Sequence, residues 1–231
     1  MKNQVNFDDL DQVDYKVAWD HQEVLFKKSV DLKIAKRDGK TNELPDHHLL
    51  FCEHPHVYTL GKSGSEQNLL ISEAILKQKK ATYYKINRGG DITYHGPGQL
   101  VAYPILDLDQ FFTDIHKYMR YLEEAVILTI KEFGIIGTRV EGSTGVWLDV
   151  DTTNERKICA MGVKSSRWVT MHGLALNVNP DMTYFNNIVP CGITDKAVTS
   201  MAKELNKPIT MQDVKPVLKS NLAKVFDFNY K

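Results

Sequence analysis

Cys191 is the side chain best placed to do chemistry. It stands in Val189-Pro190-Cys191-Gly192-Ile193, where proline fixes the chain before it and glycine removes bulk after it, so the thiol is presented at a turn as a candidate nucleophile. Cys52 and Cys159 lie instead in apolar runs, where cysteine behaves as a small hydrophobe. No base neighbours Cys191 in sequence, so residue types alone leave it open between nucleophile and structural thiol. A second stretch, Arg88 to Tyr103, gathers four glycines and a proline around Thr93-Tyr94-His95. Glycine is needed where another atom must approach the backbone closely, and Arg88, Thr93, His95 and Gln99 supply polar heads around that space. The stretch reads as one wall of a ligand pocket, against the plainer alternative of a glycine-rich hairpin. His47, His48, His54 and His56 lie close together, but no acid or cysteine joins them at a familiar ligand spacing, and no metal site is expected.

The run Arg88-Gly89-Gly90-Asp91-Ile92-Thr93-Tyr94-His95-Gly96-Pro97-Gly98-Gln99-Leu100, followed by Tyr103-Pro104-Ile105, resembles the signature of the lipoyl (octanoyl) transferases. That family moves an octanoyl group from acyl carrier protein onto a lysine of lipoyl domains. The resemblance runs from Asp14-Tyr15 and Ala18-Trp19, through Glu53-His54-Pro55-His56-Val57-Tyr58, to Ala197-Val198-Thr199-Ser200-Met201. Two further family segments, Lys157-Ile158-Cys159-Ala160-Met161-Gly162 and His172-Gly173-Leu174-Ala175-Leu176-Asn177, precede Cys191 in the family order. Asn87, where many relatives carry an acid, and the generous loops 37–46 and 149–155 depart from the pattern at surface contacts rather than at the chemistry.

The resemblance implies a biotin/lipoate protein ligase-like fold of the α/β (α+β) class, a single domain over residues 1–231 with a mixed β-sheet and flanking helices. It implies Cys191 as the acyl-carrying nucleophile and Lys157 as its catalytic partner. It implies substrate binding by Arg88, Gly89, Gly90, Asp91, Ile92, Thr93, Tyr94 and His95, by Ala160, Met161 and Gly162, and by Gly173, Leu174 and Ala175. Neither metal nor cofactor is expected. The implied partners are octanoyl-acyl carrier protein as donor, and as acceptors the lipoyl domains of 2-oxoacid dehydrogenase complexes and the glycine cleavage H protein.

A free thiol with a pKa near ~8.5 is little ionised at neutral pH, and a free lysine near ~10.4 is already protonated and a poor base. Burial lowers the lysine, and a nearby ammonium lowers the cysteine. The pair can be drawn as amine plus thiol or as ammonium plus thiolate, and the sequence does not choose between them. Lys164 is the competing lysine. On a regular strand Lys157 and Lys164 point to opposite faces, so at most one should enter the pocket. His95 and His172 could each donate to an oxyanion or substrate, or hold a loop by hydrogen bonds.

Around these residues, Trp19 to Lys36 carries Val24, Leu25, Val30, Leu32, Ile34 and Ala35 in a helical rhythm. Strands are expected at His48 to Glu53, Val57 to Leu60, Tyr83 to Ile86 and Val101 to Leu108, with Pro104 at an edge or bulge. Ser72 should cap a short helix to Lys80, and Thr113 to Phe133 is the clearest helix, stopped by Gly134. Short β segments follow at 139–140, 146–148, 157–164, 168–170 and 174–178, then helices at Asp195 to Leu205 and Met211 to Val225, the latter capped by Thr210.

The 29 basic residues balance 29 acidic ones, which argues against a general nucleic-acid or membrane-surface binder. The three cysteines form no CxxC pair and suit a reducing cytoplasm. No signal peptide or run of eighteen apolar residues is present, so a cytoplasmic protein is expected. Two other readings compete: an ATP-dependent lipoate or biotin ligase on the same fold, which would need no nucleophilic cysteine, and a non-catalytic lipoyl-domain binder.

Overall fold

The computed structural model describes residues 2–189 and 197–231. In chain order the elements are β1 (Asn3–Gln12), α1 (Tyr15–Arg37), β2 (His47–Glu53), β3 (Val57–Leu60), α2 (Glu73–Gln78), β4 (Thr82–Lys85), β5 (Ile92–His95) and β6 (Gln99–Ile105). There follow α3 (Ile115–Glu132), β7 (Val146–Leu148), β8 (Arg156–Ser166), β9 (Val169–Asn177), β10 (Ala197–Val198), α4 (Met201–Leu205), α5 (Met211–Phe226) and β11 (Phe228–Tyr230). The large sheet runs β10-β8-β9-β6-β2-β1-β11, with β7 also on β8, and mixes parallel with antiparallel pairs; a small sheet runs β4-β3-β5. This is the mixed α/β architecture with flanking helices that the resemblance implied.

Each long helix begins on a side-chain acceptor that satisfies an otherwise unpaired N–H of the first turn. Asp14 accepts from Lys16 and Val17 N–H at the start of α1, Asp114 from Lys117 N–H at the start of α3, and Thr210 forms a capping box with Asp213 on α5. Gly134, at φ +84°, follows the end of α3. One face of the large sheet packs Leu49, Phe51, Leu100, Leu174 and Leu176 against Leu122, Val126 and Ile130 of α3 and Leu218 and Leu222 of α5. The other packs Leu50, Val101, Tyr103, Ile105, Val169 and Met171 against Ala18 and Phe26 of α1.

Several elements differ from the sequence reading. β1 was not anticipated, because its DDLD composition hides a strand whose parallel partner β2 supplies the burial. α1 begins at Tyr15, and its buried stripe is Tyr15, Ala18, Gln22, Phe26 and Ser29, whereas Val24 is 65% exposed. The segments at 168–170 and 174–178 join into one strand, β9, and Arg139-Val140 forms none. Of the expected helix at Asp195 to Leu205, only Met201–Leu205 is helical among the described residues, with Ala197-Val198 a strand. Pro104 lies within the interior strand β6, opposite Leu49, at the point where the β6–β9 ladder stops after Ala102. Thr170 Oγ1 fills the gap, donating to Pro104 O at 2.9 Å.

Candidate active site

A pocket of about 870 Å³, counting its open mouth, lies on the α1 face of the large sheet. Its base is laid by β6, β8 and β9: Val101 faces Ala175, which faces Ala160, and Gly162 faces Gly173. Small side chains in three adjoining strands leave a trough along the sheet. The Arg88-Gly89-Gly90 turn forms its side wall and is seated directly on β8. Gly89 N–H donates to Val163 O at 2.9 Å, and a Cβ on Gly162 would come within 2.8 Å of Gly89 O, so only glycine lets the two backbones meet there. Arg88 is buried and donates to Thr59 O, Thr59 Oγ1 and Gly89 O at 2.8–3.0 Å, tying the turn to β3.

Of the residues expected to bind substrate, Arg88, Gly90, Asp91, Ile92, Thr93, His95, Ala160, Met161, Gly162, Gly173, Leu174 and Ala175 line this pocket, as does Lys157. Gly89 and Tyr94 do not. Gly89 is used in the backbone contact to β8, and Tyr94 turns into a second core, where its ring stacks 5.1 Å from Tyr184 and its hydroxyl meets His56 Nδ1 at 2.8 Å. Cys191 lies outside the described residues. The sequence reading took in Val101 and Tyr103 with the Arg88 to Tyr103 wall but did not place Tyr15, Thr144, Asn177, Phe185 or Val198 in the lining. Tyr15, Asn177 and Val198 were quoted within the family segments, and that was the one signal available for them.

The two lysines are separated in an unexpected way. β7 pairs Val146 with Cys159 but Trp147 with Lys157, which leaves Ile158 as a bulge. The extra residue reverses the alternation, so Ile158 and Cys159 both enter the α3/α5 core while Lys157 shares the pocket face with Ala160 and Gly162. Lys164 is on that same face, not the opposite one, but α1 has claimed it: its Nζ donates to Glu23 at 2.9 Å and lies 4.6 Å from the Phe26 ring.

Hydrogen-bond accounting settles the state of two histidines. Gln99 Nε2 donates to Tyr94 O and to Asn177 Oδ1, so its Oε1 must accept from His95 Nδ1–H at 3.0 Å. His95 therefore presents Nε2 as an acceptor, not a donor for an oxyanion. Burial pushes its pKa down to about 3, as it does that of His172, so both rings are neutral. His54 Nδ1 donates to Val13 O, and its Nε2 accepts from Tyr103 O–H at 2.7 Å. That ring is consequently not a base for Cys52, although Sγ lies 3.4 Å away. Cys52 and Cys159 are fully buried, and burial pushes both thiols well above the usual range, away from nucleophilic use. His172 sits at φ +60°, its backbone N–H held by Gln22 Oε1 and its Nε2 buried without a hydrogen-bond partner.

The chain on either side of the Cys191 segment is anchored to this pocket. On the near side Val189 N–H donates to Asn68 O at 2.9 Å, and Phe185 lines the cavity. On the far side Val198 pairs with Lys157 and also lines it. Among the described residues no group of three or more metal-ligating side chains converges, and no helix is long and apolar enough to cross a membrane.

Residues 14–223 match the family described as the lipoyl protein ligase A/B catalytic domain. The chain is 61% identical over 225 residues to an octanoyltransferase of Cytophaga hutchinsonii, covering 96% of this chain and 92% of that one. It is 60% identical over 232 residues to an octanoyltransferase of Christiangramia forsetii, covering 100% and 99%. In fold it is similar to lipoate-protein ligase A bound with ATP, at TM-score 0.70 and 14% identity, covering 100% of this chain and 88% of the other. The chain belongs to the lipoyl protein ligase A/B catalytic-domain family, and within that family to the octanoyltransferases.

Proposed function

We propose that the protein, acting as one catalytic domain, takes the octanoyl group from octanoyl-acyl carrier protein and delivers it to a lysine of a lipoyl domain through an octanoyl thioester on Cys191. In the first half, Cys191 sulfur attacks the donor thioester carbon, and Lys157 takes the cysteine proton and returns it to the departing phosphopantetheine sulfur. In the second, the acceptor amine attacks the acyl-cysteine, Lys157 again moves the proton, and an amide forms as the thiol is released. One thioester replaces another and the final amide lies downhill, so no ATP is consumed. The glycine-rich segments supply backbone N–H groups to the developing oxyanion and room for the acyl chain. The acceptors are the lipoyl domains of 2-oxoacid dehydrogenase complexes and the glycine cleavage H protein, and the site of action is the cytoplasm.

The observation that carries this reading is the convergence of Lys157 with both anchored flanks of the Cys191 segment, Phe185 and Val198, on one pocket floored by small residues. The ligases that share the fold have no need of such a cysteine. Intact-mass measurement after mixing the protein with octanoyl-acyl carrier protein should find one octanoyl adduct, abolished by Cys191→Ala. An adduct that survives Cys191→Ala removes the covalent mechanism, and ATP-dependent transfer from free octanoate would favour the ligase reading instead.

A further inference from the structure

Lys157 is clamped between two strands. Its backbone pairs with Trp147 of β7 on one side and Val198 of β10 on the other, and Thr199 N–H donates to its carbonyl at 2.9 Å. Directly opposed residues of paired strands share a face. The Trp147 indole accordingly lies beside the lysine side chain, with Nζ 4.4 Å from the ring centroid. Trp147 is 3% exposed, while its neighbours Val146 and Leu148 enter the core on the opposite face. The preceding loop makes room for this arrangement. Gly145 has φ +107°, and a Cβ there would collide with Cys159 O and lie 3.5 Å from Lys157 Cε. Its N–H is pinned by Glu123 Oε1 at 3.0 Å.

The face of an indole is the negative side of its quadrupole, so it stabilises an ammonium and does nothing comparable for a neutral amine. We propose that Trp147 is a positioning residue that holds Lys157 as an ammonium, so that the Lys157/Cys191 pair rests as ammonium and thiolate. This rests on the reading of Lys157 as the proton partner of Cys191. In that resting pair the S–H bond is already broken, with both electrons on sulfur and the proton on Nζ, and in the transfer the thiolate forms the new bond to the donor carbonyl carbon. That proton is then handed to the pantetheine sulfur as the donor C–S bond breaks.

Several ionisable groups among the described residues on the neighbouring elements have partners of their own. Glu123 of α3 is bound by Arg120 and Arg139, and Glu204 of α4 by Arg156 and Thr199. Across the pocket Arg88 is bonded to Thr59, and Asp91 accepts from Ile92 N–H and Asn68. His95 and His172 are neutral, and burial holds Tyr15 and Cys159 in their protonated forms. The indole face favours the charged lysine at 4.4 Å from Nζ.

The test is the pH profile of single-turnover acylation by octanoyl-acyl carrier protein, read by intact mass on the full chain. Compared are the native protein, Trp147→Phe, Trp147→Leu, a form with a fluorinated tryptophan at position 147, and Lys157→Ala. The reactive ammonium/thiolate form is lost on the alkaline side, where Lys157 gives up its proton, and the ring raises the pKa of that step. Trp147→Leu and the fluorinated ring should bring the alkaline limb down by about half to one and a half pH units, Trp147→Phe by less, with KM for the donor unchanged. Fluorination removes the ring's negative face at nearly constant shape, so it decides the matter even where Trp147→Leu does not fold. An alkaline limb unmoved by fluorination overturns the role of Trp147. A Lys157→Ala protein that acylates with the native pH profile overturns the pairing of Lys157 with Cys191 instead, so the two failures are told apart.

Discussion

On the α3/α5 face, the large sheet buries Leu49, Phe51, Leu100, Leu174 and Leu176 against aliphatic side chains, with Thr129, Glu123 and Asn221 as hydrogen-bonded exceptions. On the α1 face β6 and β9 of the same sheet bury Gln99, His172 and Asn177 around a pocket, to which β5 of the small sheet adds His95. The first face is held by the removal of apolar surface from water, the second by hydrogen bonds whose donors and acceptors must all be matched. Stability should therefore respond to volume on one face, and to protonation on the other.

The largest effect is expected on the apolar face. Ile130 is fully buried between α3 and the sheet, and Ile130→Ala should cost about 2–5 kcal/mol through lost burial and the cavity left behind. Urea denaturation measures this. The folded fraction should keep its turnover, because Ile130 lies on the side of the sheet away from the pocket. A loss of turnover without a loss of stability would erase the contrast between the faces.

The α1 face should show itself in acid. Burial holds the folded pKa of His54 at about 4 and those of His95 and His172 at about 3, below the usual 6.5 of an exposed histidine. As the pH falls below about 6.5 the unfolded chain binds protons that the folded chain refuses. These residues therefore leave stability intact above that pH and withdraw it progressively toward pH 4, at up to about 1.4 kcal/mol per pH unit for each ring. His95→Gln keeps a hydrogen-bonding side chain but cannot titrate. Its urea midpoints at pH 7, 6 and 5 should fall less steeply than those of the native protein, and an equal slope would mean that His95 titrates like an exposed histidine.

Much of this division was legible in the sequence. The spacing of Leu122, Val126 and Ile130 marks α3, and the glycines of Arg88 to Tyr103 mark a pocket wall, because a 3.6-residue period and a demand for close backbone approach are local properties. What was not legible depended on partners distant in sequence. The bulge at Ile158 arises from the pairing of β8 with β7, and without it the alternation that separated Lys157 from Lys164 pointed the wrong way. β1 becomes a strand through β2, whose sequence begins 35 residues after β1 ends.

The buried stripe of α1 is the clearest of these cases and yields the smallest expected effect. Reading apolar residues alone selects Val24, yet the helix turns Ala18, Gln22, Phe26 and Ser29 toward the sheet. Gln22 belongs there because its Oε1 accepts the backbone N–H of His172, at a place where β9 leaves its regular conformation. The polar demand of the pocket face has overridden the apolar pattern. Val24, 65% exposed, packs against little, so Val24→Ser should change stability by no more than about 0.5 kcal/mol. Gln22→Leu, the more conservative change by a hydrophobic pattern, should cost more, because it leaves the His172 N–H buried and unpaired at about 1–3 kcal/mol. Thermal denaturation of the two variants side by side ranks them, and the reverse order would restore the apolar reading of α1.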